Sequence, residues 1–153
     1  MIKLKDILPE NIITEATRSQ IGYIDKNGKI TSTYVHYDGY PKGVGRVAKK
    51  YYSGGKVKDL LKIDKGIGIS VLEPKMDGGE GHSFNNPEKG QTIFYGRDRG
   101  ERKGSFVKGD IDNIPRYLDQ VSSNGAEYAY LYNEKDKKWY YVDVDYDKEL
   151  KLL

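Results

Sequence analysis

The strongest constraint on what this chain can fold into is a local pattern. Two alternating runs, Gln20 to Ile24 and Lys29 to His36, stand on either side of Asp25-Lys26-Asn27-Gly28. Alternation at period two is the mark of a half-buried strand, and an Asn-Gly pair between two such runs supplies the positive φ angles of a tight hairpin turn. A second pair of the same kind closes the chain. Ala126 to Tyr132 and Lys138 to Val144 alternate across Asn133-Glu134-Lys135-Asp136-Lys137, which predicts another hairpin, rich in tyrosine.

Between the hairpins the period changes. Val44, Val47, Ala48 and Tyr51 share one helical face, and Ser53-Gly54-Gly55 ends that helix. Lys56 to Ile63 reads as a second short helix with Val57, Leu60 and Leu61 inward, and Gly66 to Leu72 and Gln91 to Tyr95 read as strands. The Gly-rich, polar stretch Glu73 to Gly90 is expected to be a long surface loop and the most mobile part of the body. Ile111, Ile114, Leu118 and Val121 recur at helical spacing behind Asp110 as N-cap, with Pro115 moving the start toward Ile114. The expected class is α+β: a mainly antiparallel sheet built from two hairpins plus central strands, with two or three helices packed on one face.

A chain of 153 residues has the size of one domain with one core. Residues 1–15 read as a separate amphipathic head interrupted by Pro9, and residues 16–153 as a single α+β domain. The absence of cysteine excludes disulfides and thiolate metal sites, and two distant histidines, His36 and His82, make an imidazole site unexpected. No metal and no cofactor is therefore expected. A formal charge of +3, from 26 basic and 23 acidic residues, is too balanced to demand a nucleic acid. No apolar run approaches the roughly 18 residues of a membrane span, and no secretory core is apparent, so the expected location is the cytoplasm of the cell that makes it.

Two segments concentrate chemistry. Gly96 to Gly104 holds Arg97, Arg99, Arg102 and Lys103 around Asp98 and Glu101, a density of guanidinium forks suited to phosphate or carboxylate. The turn His36-Tyr37-Asp38-Gly39-Tyr40-Pro41 offers aromatic rings and an imidazole for stacking on a base or sugar. The candidate ligand-binding set is Arg18, His36, Tyr37, Asp38, Tyr40, Arg97, Asp98, Arg99 and Glu101. Each segment also has a structural explanation: acids ordering the arginine turn, and Asp38 capping a helix while Gly39 turns left-handed and Tyr40 packs inward. If any reaction is catalysed, His36 and Asp38 are the candidate residues, since residues two apart on an extended strand share a face. His82, in the Gly-rich loop, is expected to be solvated. Tyr128, Tyr130 and Tyr132 share a face and read as cross-strand packing, a dimer surface or a stacking platform for single strands.

Thr17-Arg18-Ser19-x-Ile21, Tyr34-x-His36-Tyr37-Asp38-Gly39-Tyr40-Pro41 with Gly43-x-Gly45, and Tyr95-Gly96-Arg97-Asp98-Arg99-Gly100-Glu101 occur in that order. Together they resemble a group of small phage and bacterial proteins over about residues 17 to 142, with Tyr37 where that group usually has tryptophan. The resemblance implies a fold and a surface, and no particular reaction. Met1 to Leu8 followed by Ile13-Thr14-Glu15 resembles a capsid-targeting peptide of large tailed phages, cut after Glu15, which implies an internal head protein injected with the DNA. An ordinary helix docked on the body is the alternative. The resulting expectation is a phage-type accessory protein that binds a small phosphorylated or nucleotide-like ligand and counters or modulates a host pathway. The alternatives are a nucleic-acid or host-protein interaction module, and a hydrolase or transferase using His36 and Asp38. A host protein and a second copy of the chain are further candidate partners; nucleic acid is less favoured and no membrane is expected.

Overall fold

In the computed structural model, the described residues are 16–102 and 113–153. The N-terminal head, Lys103 and the proposed cap Asp110 lie outside them. The first hairpin pairs β1 (Ser19–Ile24) with β2 (Ile30–Val35) in antiparallel register, Ile24 opposite Ile30. Its turn differs from the one expected. Only Gly28 takes a positive φ, its N–H donates to the Asp25 carbonyl, and the Asp25 carboxylate accepts from the N–H groups of Asn27 and Lys29. The aspartate side chain thus organises a longer turn that needs one left-handed residue rather than two.

After β2 a π-helical turn, Pro41–Gly45, leads into α1 (Arg46–Tyr51), and α2 (Gly55–Asp64) follows. Short strands β3 (Ile69–Val71) and β4 (Ile93–Phe94) extend the sheet beyond β2. Helix α3 (Ile114–Ser123) begins at Ile114, capped by Asn113, whose side chain accepts the Arg116 N–H at 2.9 Å. The second hairpin is β5 (Tyr128–Asn133) with β6 (Lys138–Asp143), and β7 (Lys151–Leu152) adds two residues at the edge. Among the described residues the sheet has seven strands in the order β4-β3-β2-β1-β5-β6-β7.

The fold is α+β, and the sheet is mixed. Both hairpins are antiparallel, but β1 joins β5 in parallel over six residue pairs, and β2 meets β3 in parallel at Val35 and Ile69. A parallel junction needs a long crossover, which the intervening helices and strands supply. Alternation then divides the side chains. Ile21, Tyr23, Val35, Tyr130 and Tyr132 face the π-helical turn, α1 and α2 through Val44, Ala48, Val57 and Leu60. Ile24, Ile30, Ala129, Leu131 and Val142 face α3 through Tyr117 and Val121. Two helices therefore share one face and the third covers part of the other. Tyr130 stacks with Tyr128 and Tyr141, and Tyr132 stacks with Tyr23 and meets Trp139 edge-on, all within or against the first of these cores, so this tyrosine ladder is cross-strand packing. Among the described residues no helix is long and apolar enough to cross a membrane.

The Gly39-Tyr40-Pro41 turn is clamped to the sheet. The Gly39 N–H donates to the Thr17 carbonyl at 2.8 Å, and its carbonyl accepts the buried Tyr130 hydroxyl at 2.6 Å. A Cβ at Gly39 would stand 2.7 Å from the Thr17 oxygen and 2.8 Å from Ser19 Cβ. Gly39→Ala should therefore cost about 1–3 kcal/mol through overpacking against backbone. Gly55→Ala, where a methyl meets nothing within 4 Å, should stay within about 0.5 kcal/mol of the parent. Urea denaturation of the two variants checks the contrast.

Candidate functional site

Strand alternation carries Tyr34 and His36 to the face opposite α1 and α2, and the ladder continues past the end of β2. The His36 N–H donates to the Ile69 carbonyl at 2.9 Å and the Tyr37 N–H to the Ser70 carbonyl at 3.0 Å. On the far side of β3, the Tyr95 N–H donates to Gly68, and its hydroxyl reaches the Ser70 side chain. Arg18 precedes Ser19, which pairs with Val35, so one further step of the register sets Arg18 opposite His36. A row thus crosses the end of four strands: Arg18, then Tyr34 and His36, then Ser70, then Tyr95.

The row is aromatic in the middle and cationic at both ends. The His36 ring lies edge-on to Tyr37 at 4.5 Å, and its Nδ1 shares a hydrogen bond of 2.7 Å with the Tyr34 hydroxyl. Burial, reinforced by the Arg18 guanidinium, holds the imidazole below its ordinary pKa, so at neutral pH it is uncharged. Burial pushes the hydroxyls of Tyr34 and Tyr95 upward, which keeps both as neutral hydrogen-bonding groups. Beyond Tyr95, Arg99 lies over the Phe84 ring at 4.9 Å and near the Tyr95 ring at 5.8 Å. Tyr37 is 44% exposed and the Arg99 side chain 51%, so the ring and the guanidinium are both open to a ligand.

The neighbouring Arg97 and Asp98 are engaged in the fold instead. Arg97 covers the Phe94 ring at 4.6 Å and donates to the carbonyls of Met76 and Thr92 as well as to Asp98. The Asp98 side chain is only 5% exposed and also accepts from the Phe94 N–H at 2.8 Å and meets His82 Nε2 at 3.1 Å. His82 is thus not solvated. Its side chain is fully buried, and its other nitrogen accepts the Glu88 N–H at 3.0 Å. The stretch from Glu73 to Gly90 is tied to the body through this hub, through the Phe84 N–H to Asp98 carbonyl bond, and through Gly78 and Asp77 on the Gln91 amide.

Asp38 does not share a face with His36. The strand ends at Val35, and Asp38 takes a φ of 58°, so the alternation that would have aligned the pair is interrupted. Its carbonyl accepts Val44 N–H at 2.8 Å and its carboxylate accepts the Tyr40 hydroxyl at 3.2 Å. The capping account of this turn also changes: Asp38 rather than Gly39 is left-handed, no side chain caps the helix, and Tyr40 is 43% exposed. Glu101 pairs with Arg99 at 3.4 Å and also borders a hollow of about 540 Å³ with Arg97, Arg102, Lys65, Ile63 and Ile67. Of the residues selected from sequence, Arg18, His36, Tyr37 and Arg99 therefore fall along one row. Tyr34, Ser70, Phe84 and Tyr95 join them without having been selected. Among the described residues no group of three or more His, Asp or Glu is placed to hold a metal ion. No family model, curated protein or solved structure matches the chain.

Asp98→Ala should cost about 2–4 kcal/mol, because it strands a guanidinium and a backbone N–H inside the fold. Although burial opposes ionisation of Asp98, Arg97, the Phe94 N–H and His82 outweigh it and hold the carboxyl below the ordinary carboxylate range. A depressed folded-state pKa stabilises the fold above the unfolded value, and that contribution is lost as pH falls through the depressed one. The Asp98→Ala variant should accordingly show a shallower fall in melting temperature over that acid range than the parent, as measured by circular dichroism.

Proposed function

We propose that the protein binds a small phosphorylated, nucleotide-like ligand across the row of His36, Tyr37, Tyr95 and Arg99, with Arg18 at its far end. The observation that carries this reading is the pairing of an exposed phenol ring with an exposed guanidinium that is itself stacked on aromatic rings. Phenol and imidazole rings accept a planar base, and a guanidinium fork accepts phosphate oxygens bidentately. The half-buried Tyr95 ring, held by its hydroxyl on the buried Ser70, adds a third aromatic group beside them.

Binding rather than turnover is the proposal. A general base needs a partner to orient it, and Asp38, the carboxylate nearest His36 in sequence, bonds to Tyr40 instead. Capture of a nucleotide-derived host signal by a phage-type accessory protein would require the stacking and the cations but no catalytic constellation.

Titration calorimetry with nucleoside mono-, di- and triphosphates tests the reading. Arg99→Gln and Tyr37→Ala should each weaken binding about tenfold or more, the worth of one stacking or charge-assisted contact, with the melting temperature unchanged. Arg97→Ala should instead lower the melting temperature, since its guanidinium bonds lie within the fold. Absence of nucleotide binding by the parent, or affinity indifferent to both Arg99→Gln and Tyr37→Ala, would refute the proposal.

A further inference from the structure

The near-balance of charge over the whole chain conceals an uneven distribution. Residues 42–65 hold eight basic and two acidic side chains, a net +6, in a chain whose total is +3, so the remainder is net acidic. Of the two acids, Asp64 is buried and accepts the Gly68 N–H at 2.8 Å. The exposed residues of the segment are the eight cations with Ser53, Gly55 and Asp59. Lys42, Arg46, Lys49 and Lys50 belong to the π-helical turn and α1, and Lys56, Lys58, Lys62 and Lys65 to α2 and its C-cap. Both helices bury their apolar sides, through Ala48, Val57 and Leu60, against the same face of the sheet, so their outward positions share one surface, on the side away from Tyr34 and His36. Lys49 extends this surface toward the second hairpin through a hollow that it shares with Lys137 and Lys138. Among the described residues none of these ten cations pairs with a carboxylate. Arg46 with Lys50 and Lys58 with Lys62 are like charges four apart, an arrangement that destabilises a helix. Asp59 on the surface, with Glu101, Glu134 and Asp136 at its border, leaves most of the excess uncompensated.

We propose that this helix surface binds the phosphate backbone of duplex DNA without regard to sequence. It lies across the sheet from the nucleotide row and does not depend on that reading. Charge complementarity carries the inference. Duplex DNA presents about one negative charge per 1.7 Å of its axis, and lysine, a point charge on a flexible stem, meets phosphate without reading bases. Capture of a single strand draws on exposed rings for stacking, but Tyr52 is buried and Tyr51 is half-buried with the Lys50 ammonium over its ring at 5.3 Å. An RNA duplex is gripped in part through its 2′-hydroxyls, and Ser53 is the only exposed neutral hydroxyl in the segment. An anionic membrane takes up apolar groups beside the cations, and the large exposed apolar side chains, such as Tyr37, Tyr146 and Leu152, lie outside residues 42–65.

The test is fluorescence anisotropy of a short labelled DNA duplex of mixed sequence, titrated with the full chain at several salt concentrations. With about five of the cations on phosphates, affinity should fall several-hundredfold between about 50 and 200 mM salt, a log–log slope of about −4 to −5. Lys49→Gln combined with Lys62→Gln, one change on each helix, should make the slope shallower by about 2. Arg116→Gln, on α3 across the sheet, should leave the slope as it is. Circular dichroism should show both variants folded with the melting temperature of the parent. A duplex of unrelated sequence should bind with the same affinity. Single-stranded DNA, an RNA duplex and phosphatidylserine vesicles, each added at equal anionic charge, should displace the labelled duplex less effectively than unlabelled duplex DNA does. Absence of binding at about 50 mM salt, or a slope indifferent to the paired lysine substitutions, overturns the proposal. More effective displacement by the strand, the RNA or the vesicles also overturns it and assigns the surface to that partner instead.

Discussion

The parallel pairing of β1 with β5 is the contact on which the other arrangements depend. It joins segments more than a hundred residues apart in register from Ser19 with Tyr128 to Ile24 with Asn133. Each hairpin alone would be a marginal two-stranded ribbon. Joined, they form a continuous sheet with two faces, and every alternating residue acquires a side. The same pairing places the Tyr130 hydroxyl against the Gly39 carbonyl, so the inner strand of the second hairpin holds the turn that follows the first. The turn in turn sets where β2 ends and where Tyr37 emerges.

Face assignment explains why two arginines two residues apart do different work. Tyr95 and Phe94 point to opposite sides of a short strand, and the loop after them divides in the same way. Arg97 covers Phe94 and closes its hydrogen bonds on Met76, Thr92 and Asp98. Arg99 covers Phe84 and Tyr95 and keeps its guanidinium half exposed. A guanidinium whose donors are already bonded to carbonyls and a buried carboxylate has few to offer a phosphate, whereas one stacked on rings and paired only with the exposed Glu101 keeps most of its donors. The Asp98 hub also converts a Gly-rich stretch into a supporting wall, and through Phe84 this wall carries one end of the row.

Much of the fold was legible along the chain. Both hairpins, the helical faces of Val44 to Tyr51 and of Leu118 and Val121, and the start at Ile114 follow from periodicity and from Pro115. Strand β7 was not, because two residues carry no period. The buried state of His82 was not legible either, since its partner Asp98 is sixteen residues away and only chain folding brings them together. For the site, Arg99, His36 and Tyr37 stood out by residue type. Tyr95 and Ser70 did not, because neither is unusual until sheet order sets them beside Tyr37.

The sequence by itself determined the α+β class, the places of the two hairpin turns and which side chains could stack or carry charge, because period, turn residues and side-chain chemistry are local properties. Tertiary structure decided which of those side chains share a surface. Parallel pairing of distant strands chose the faces, and the left-handed backbone at Asp38 removed it from the side occupied by His36. Such choices depend on contacts across the whole chain, where the burial of one side chain is settled by residues that its own neighbours in sequence do not specify.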